Sequence, residues 1–290
     1  MIGVFDSGYG GLAILRALRS RLPDYSYAYL GDNAHAPYGP KPDEEIFELT
    51  KQGVEQLFQK GCNLVILGCN TASASALRRL QQEWMSITHP AKKILGIIVP
   101  TAEAVSGHHF ETIGILATQH TVSTGAYEKE IHKLNPEIKI IQQPCNNLAG
   151  IIEQYGADDE RVVEEVKVCI KTLCTRSTPP SLPLVRAGDD ASPPYEGGAR
   201  GGFVDAILLA CTHYEFVADT IQRLLPKRTI LIRQPEIVAQ SLESYLDRHP
   251  EIEKKLNKKT GCQYFTTGNQ QDVSAKSSSL MQEEVVFTAL

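Results

Sequence analysis

The segment Val65-Ile66-Leu67-Gly68-Cys69-Asn70-Thr71 sets an apolar run, a small residue, a cysteine and two polar residues side by side, and a helical pattern follows at 72–84. Apolar side chains on successive residues suit a strand covered on both faces, not one with a wet face. The same order returns at Ile207-Leu208-Leu209-Ala210-Cys211-Thr212-His213, again ahead of a helical pattern, at 215–225. Two strand–cysteine–helix units imply two similar halves, each offering one cysteine from the end of a strand. Further apolar runs at 2–5, 27–30, 94–98, 113–116, 138–141 and 229–232 read as strands. Helical patterns at 12–21, 43–60, 122–134, 158–173 and 237–246 stand between them. Strand–helix alternation of this kind gives an α/β fold with largely parallel sheets.

The composition narrows the function. The 290 residues carry 29 basic and 34 acidic side chains, net -5, so no cationic excess exists to displace phosphate counterions and no nucleic-acid partner is expected. No apolar run approaches the roughly 18 residues of a membrane helix, so no membrane partner is expected either. The opening residues run straight into Asp6 and a Gly-rich turn, which is no leader pattern, and a cytoplasmic location is expected. Seven cysteines is an odd count with no two-residue spacing, poor material for a disulfide framework or a metal centre, and no metal is expected. Cys62, Cys145, Cys169, Cys174 and Cys262 read as buried, inert thiols. Between 176 and 202, five prolines and five glycines mark a surface loop insertion.

Chemistry concentrates where strands end. Ligands of open parallel sheets sit beyond the carboxyl ends of the strands, and Cys69 and Cys211 both fall there. Each also opens a helix, where the dipole is expected to draw a thiol from about 8.5 towards neutrality. Asp6 and Ser7 follow the first strand, placed to orient or deprotonate a nearby thiol or to cap the next helix. Gly8, Gly10 and Gly11 give G-x-G-G, not the dinucleotide fingerprint, so a nicotinamide cofactor is not expected. Tyr38 and Gly39 in a turn, Asn70, Thr71 and Thr212 beside the cysteines, and Thr118 and Thr121 after another strand suit a small zwitterion. His213 near Cys211 allows Cys–His nucleophilic chemistry, but that leaves Cys69 without a role. Two thiols in matching halves suit inversion of a stereocentre: one removes a proton from a carbon, the other returns one to the opposite face.

The set Ile2-Gly3-Val4-Phe5-Asp6-Ser7-Gly8, Tyr29-Leu30-Gly31-Asp32, Pro37-Tyr38-Gly39, Cys69-Asn70-Thr71-Ala72, Thr118 to Thr121, Cys211-Thr212-His213-Tyr214 and Tyr264-Phe265-Thr266-Thr267-Gly268 resembles the cofactor-independent glutamate racemases. The resemblance covers nearly all of the chain outside the insertion. It implies two α/β domains facing each other across a central active-site cleft, with 1–97 plus 232–290 forming the first and 98–231 the second. It implies interconversion of L- and D-glutamate without a cofactor, supplying the D-isomer for peptidoglycan. Cys69 and Cys211 then match the acid/base thiols, with Asp6 assisting on the first side and His213 on the second. Glu153, eight residues after Cys145, is the candidate for a further acidic residue of the family. Ser7, Tyr38, Gly39, Asn70, Thr71, Thr118, Thr121 and Thr212 match substrate-binding positions. The family allows a homodimer. Aspartate racemase is the nearest alternative, and a silent amino-acid-binding protein the next. The chain departs from the family pattern at Glu215, where proline is usual, in the Cys145 segment, and at Arg233-Gln234-Pro235, where an Asp and small residues are common.

Overall fold

The first strand, β1 (Ile2–Asp6), is buried at every residue, as its unbroken apolar run requires. It belongs to a computed structural model that describes residues 1–177 and 204–290. Along the chain follow α1 (Gly11–Arg21), β2 (Ser26–Gly31), α2 (Asp43–Gln59), β3 (Leu64–Leu67), α3 (Asn70–Ser75), α4 (Leu77–Arg79), a π turn (Leu80–Met85), α5 (Ser86–Thr88), β4 (Lys93–Gly96) and α6 (Ile98–Ser106). Then come β5 (Thr112–Ala117), α7 (Gln119–Thr124), α8 (Ala126–Leu134), β6 (Lys139–Pro144), α9 (Leu148–Tyr155), α10 (Glu160–Ser177) and β7 (Ala206–Ala210). The chain closes with a 3-10 turn (Thr212–Val217), α11 (Ala218–Leu224), β8 (Ile230–Ile232), α12 (Gln234–Arg248), α13 (Pro250–Glu253), β9 (Gly261–Thr266), α14 (Gln270–Met281) and β10 (Thr288–Ala289).

These strands make two parallel sheets, ordered β10-β9-β2-β1-β3-β4 and β6-β5-β7-β8. The cores β2-β1-β3-β4 and β6-β5-β7-β8 have the same order, so the sequence echo around the two cysteines reflects two copies of one topology. Strand residues alternate between the two faces of each sheet. In the first sheet Ile2, Val4 and Ile66 face α1 and α12, while Phe5, Val65 and Leu67 face α2. In the second, Ile207 and Leu209 pack on α10 and α11, while Ile113, Ile115 and Leu208 pack on α6 and α8. Each fully buried Leu or Ile side chain contributes on the order of 1.5–3 kcal/mol.

The structure corrects several expected elements. The run at 94–98 is not one strand: β4 stops at Gly96 and α6 opens at Ile98, with Pro100 tolerated in its first turn. The helix expected at 72–84 is broken at Ala76 and finishes in the π turn. The helix expected at 122–134 is two, hinged at Gly125, whose φ of 61° lies in the left-handed region that glycine adopts freely. The Pro/Gly-rich insertion expected at 176–202 lies outside the described residues, except that Arg176 and Ser177 end α10. Cys145 and Cys169, expected as free thiols, are brought into disulfide contact with their Cα atoms 5.8 Å apart. The end of β6 and the packed face of α10 set them opposite each other. No helix among the described residues is long and apolar enough to cross a membrane.

Candidate active site

In each sheet the chain adds a strand on one side of the first strand and then crosses to the other. A crevice opens where the order reverses, beyond the carboxyl ends of the two central strands. In the first sheet those ends belong to β1 and β3, which deliver Asp6, Ser7 and Cys69. In the second they belong to β5 and β7, which deliver Thr118 and Cys211.

Cys69 caps α3. Its sulfur accepts the Ala72 N–H at 3.5 Å and lies 3.4 Å from the Ser7 hydroxyl. Those two contacts favour a thiolate, as the position at a helix start suggests. Burial opposes it more strongly, and Asp6 adds a like charge, so the thiol is pushed up to about 12. The expected drift towards neutrality is therefore reversed at Cys69. The helix contributes one long N–H contact, whereas desolvation acts on the whole charge.

Cys211 opens the 3-10 turn, and the Nδ1 atom of His213 lies 3.8 Å from its sulfur. On its other side the His213 ring meets the Glu153 carboxylate, Nε2 to Oε1, at 2.6 Å. Burial disfavours a charged imidazole, but Glu153 and the Cys211 sulfur outweigh it and hold His213 protonated well above the ordinary imidazole range. Burial likewise opposes ionisation of Glu153, and the His213 cation outweighs that too, keeping the carboxyl below its usual value. The two shifts agree: this is an ion pair.

Asp6 joins the two halves. Its Oδ1 accepts the Gly8 N–H at 2.8 Å and its Oδ2 accepts the Thr212 hydroxyl at 3.3 Å. Complete burial raises its pKa against the pull of His213 and the N–H groups of Gly8 and Gly11. The surrounding loops are in tight contact. A Cβ on Gly8 would stand 2.9 Å from Glu153 Oε1, and one on Gly10 would overlap the Thr212 side chain. Within the G-x-G-G pattern, Gly10 is thus needed for close approach across the cleft, whereas Gly11 makes room for Asp6 of its own unit. A crevice of about 10 Å³ beside Cys211 reaches Gly10, Thr212, Glu215 and Gln234.

Thr71, Thr118 and Thr121 form a hydroxyl triad across the cleft, with separations of 3.1, 3.4 and 3.0 Å. Gly39 lies against Thr118, to which an added Cβ would come within 3.4 Å. Tyr38 is buried and donates its hydroxyl to Asp32 at 2.6 Å. The Asn70 carboxamide is engaged by Gln234 and Tyr127. The structure therefore gathers Cys69, Cys211, Asp6, His213, Glu153, Ser7, Asn70, Thr71, Thr118, Thr121, Thr212 and Gly39 about the cleft, with Tyr38 behind them on Asp32. Tyr127 was not singled out from the sequence, and Asp32 and Gln234 stood in stretches compared with the family pattern without being given a role in the site. Gln234 follows the end of β8, so the rule that flagged the cysteines could have found it. Among the described residues no group of three or more His, Cys, Asp or Glu side chains gathers as metal ligands.

No protein-family model matches the chain. A glutamate racemase of Phenylobacterium zucineum is 42% identical over 270 residues, 87% of each chain. The chain belongs to the glutamate racemase family. Its fold agrees with that of relatives in the family: a glutamate racemase isoform from Bacillus anthracis superposes with a TM-score of 0.82 at 26% identity, covering 100% of this chain and 97% of that one. The Francisella tularensis glutamate racemase, solved in complex with D-glutamate, superposes with a TM-score of 0.79 at 26% identity, covering 100% and 96%. Membership of this family makes the chain an isomerase, built from two parallel-sheet α/β units, as the strand order had implied.

Proposed function

We propose that the chain interconverts L- and D-glutamate with Cys69 and Cys211 as the two acid/base thiols, supplying D-glutamate for peptidoglycan in the cytoplasm. The observation that carries this reading is the symmetry of the two strand ends: Cys69 follows β3, Cys211 follows β7, and the Asp6–Thr212 contact holds both ends to one cleft. A thiolate on one side takes the α-proton. The electron pair left on the carbon then takes a proton from the thiol opposite, so the centre inverts and the sulfurs exchange roles. The His213 ring stands beside the Cys211 sulfur, while burial holds Cys69 as the thiol. Glu153 keeps His213 charged and oriented, and Asp6 stands ready on the Cys69 side. Ser7, Tyr38, Gly39, Asn70, Thr71, Thr118, Thr121 and Thr212 form the substrate pocket. The cofactor-free chemistry, the domain limits at 1–97 with 232–290 and at 98–231, and homodimer formation belong to the same reading.

Incubation with either glutamate enantiomer in D2O should show racemisation with deuterium entering at the α-carbon. Turnover of aspartate alone would move the substrate assignment, and binding without exchange would leave only a silent binder. Cys69→Ala and Cys211→Ala should each lower racemisation by about 10⁴-fold or more while leaving the melting temperature nearly unchanged. Appreciable racemisation by either variant would rule out the paired thiols.

A further inference from the structure

The residue after Cys69 is held by a closed hydrogen-bond network drawn from four helices. Gln234, at the start of α12, is 3% exposed, and Tyr127 of α8, Thr101 of α6 and Asn70 of α3 are as deeply buried. The direction of every proton in the network follows from one acceptor. Thr101 donates its hydroxyl to the Ile97 carbonyl at 2.6 Å, and a carbonyl can only accept. Thr101 Oγ1 therefore receives from Gln234, through Nε2 at 3.0 Å. That contact fixes the flip of the Gln234 amide. The second Nε2 hydrogen goes to the Tyr127 hydroxyl at 2.7 Å, so Tyr127 donates its own proton onward to Asn70 Oδ1. Gln234 Oε1 receives Asn70 Nδ2 at 2.7 Å, and the circuit closes.

We propose that Gln234 and Tyr127 are positioning residues that lock the Asn70 carboxamide in a single orientation, leaving one Nδ2–H as its donor to a substrate carboxylate. The inference rests on the reading of Asn70 as a substrate-binding residue of a glutamate racemase. A free asparagine side chain flips between presenting its oxygen and its nitrogen, and half of those states would set an acceptor against an anion. Here the flip is forbidden, because it would turn Nδ2 onto the proton that Tyr127 donates and Oδ1 onto the Gln234 Oε1 oxygen. The network also joins α3 to α6, α8 and α12, so a substrate held by Asn70 is held by both sheets.

The test is a double-mutant cycle read as KM and kcat for glutamate. Tyr127→Phe keeps the ring in its core and removes only the hydroxyl. It should raise KM about tenfold with kcat changed less than about threefold. Gln234→Met, of similar volume, should do the same and serves if the tyrosine variant does not fold. Repeated in an Asn70→Ala background, neither substitution should change KM further, because the group they orient is gone. A merely structural role predicts otherwise: losses that add to that of Asn70→Ala, tracking the melting temperature. Additive losses, or an unchanged KM in folded Tyr127→Phe and Gln234→Met, would overturn the proposal. The wild type is assayed first. If it fails to racemise glutamate, the functional reading itself falls, and this proposal with it. If the wild type is active and the cycle additive, only the positioning role falls.

Discussion

At the residue scale the chemistry turns on how a few buried charges share their surroundings. His213 stays cationic because Glu153 is 2.6 Å away, even though burial disfavours its charge. The stability that follows has a defined pH window. The raised imidazole contributes fully below its unfolded value of 6.5 and loses that contribution as pH rises through its folded value. The lowered Glu153 carboxyl contributes above its unfolded value of 4.5 and loses it as pH falls through its folded value. Glu153→Gln should therefore cost on the order of 1–3 kcal/mol, most strongly between those two pH values. Denaturant titrations of both proteins across pH would show the gap closing on either side. The imidazole resonances of His213 should titrate lower in the variant; an unchanged titration would mean that Glu153 does not set the charge. Cys69 and Cys211 were recognisable from the sequence as strand-end thiols. The ionisation of Cys69 was not, because desolvation is summed over every atom that covers the sulfur.

At the element scale, two departures from the family pattern turn out to be partners. Glu215, where proline is usual, accepts Arg233 Nε at 2.8 Å and the adjacent Nη2 as well. The pair ties the 3-10 turn after Cys211 to the start of α12, next to Gln234. Burial raises the Glu215 carboxyl despite Arg233. Arg233→Met should thus cost on the order of 1–3 kcal/mol at neutral pH, where the carboxylate is left charged with its side chain 8% exposed. The loss should shrink in denaturation measured at falling pH, as Glu215 takes up a proton. A gap independent of pH would argue for lost packing instead. Elements with dense apolar runs were legible: β3 (Leu64–Leu67) covers the apolar run Val65-Ile66-Leu67 ahead of Cys69. α14 and β9 were not read as elements from the sequence. The first carries Ser274, Ser277, Ser278 and Ser279 in place of a clear apolar stripe, and the second is half-exposed along much of its length. Such elements form because neighbours cover them.

At the scale of the whole molecule, function depends on how closely the two units approach. Gly10 has φ -61° and ψ -35°, a conformation open to any residue, so its own backbone does not require glycine. The requirement comes from the opposite unit. An added Cβ would overlap Thr212 and stand 2.8 Å from the His213 backbone nitrogen. Gly10→Ala should hold the halves apart and lower kcat/KM by about 10²-fold or more, since a displacement near 1 Å suffices for such a loss. Far-ultraviolet circular dichroism should be unchanged, and scattering should report a larger radius of gyration. Full activity in this variant would show that the tight approach at Gly10 is not needed for turnover.

The parallel α/β units, their internal echo and the place of both cysteines were legible along the chain, because apolar periodicity and the strand-end rule act over a few neighbouring residues. Which side chains meet depends on the packed fold. Asn70 and Gln234 are 164 positions apart, Asp6 and Thr212 206, and no local pattern links either pair. The Cys145–Cys169 contact, the Glu215–Arg233 pair and the raised Cys69 thiol share that origin: each depends on which surfaces the packed sheets and helices bury together, a property of the whole chain and not of any segment.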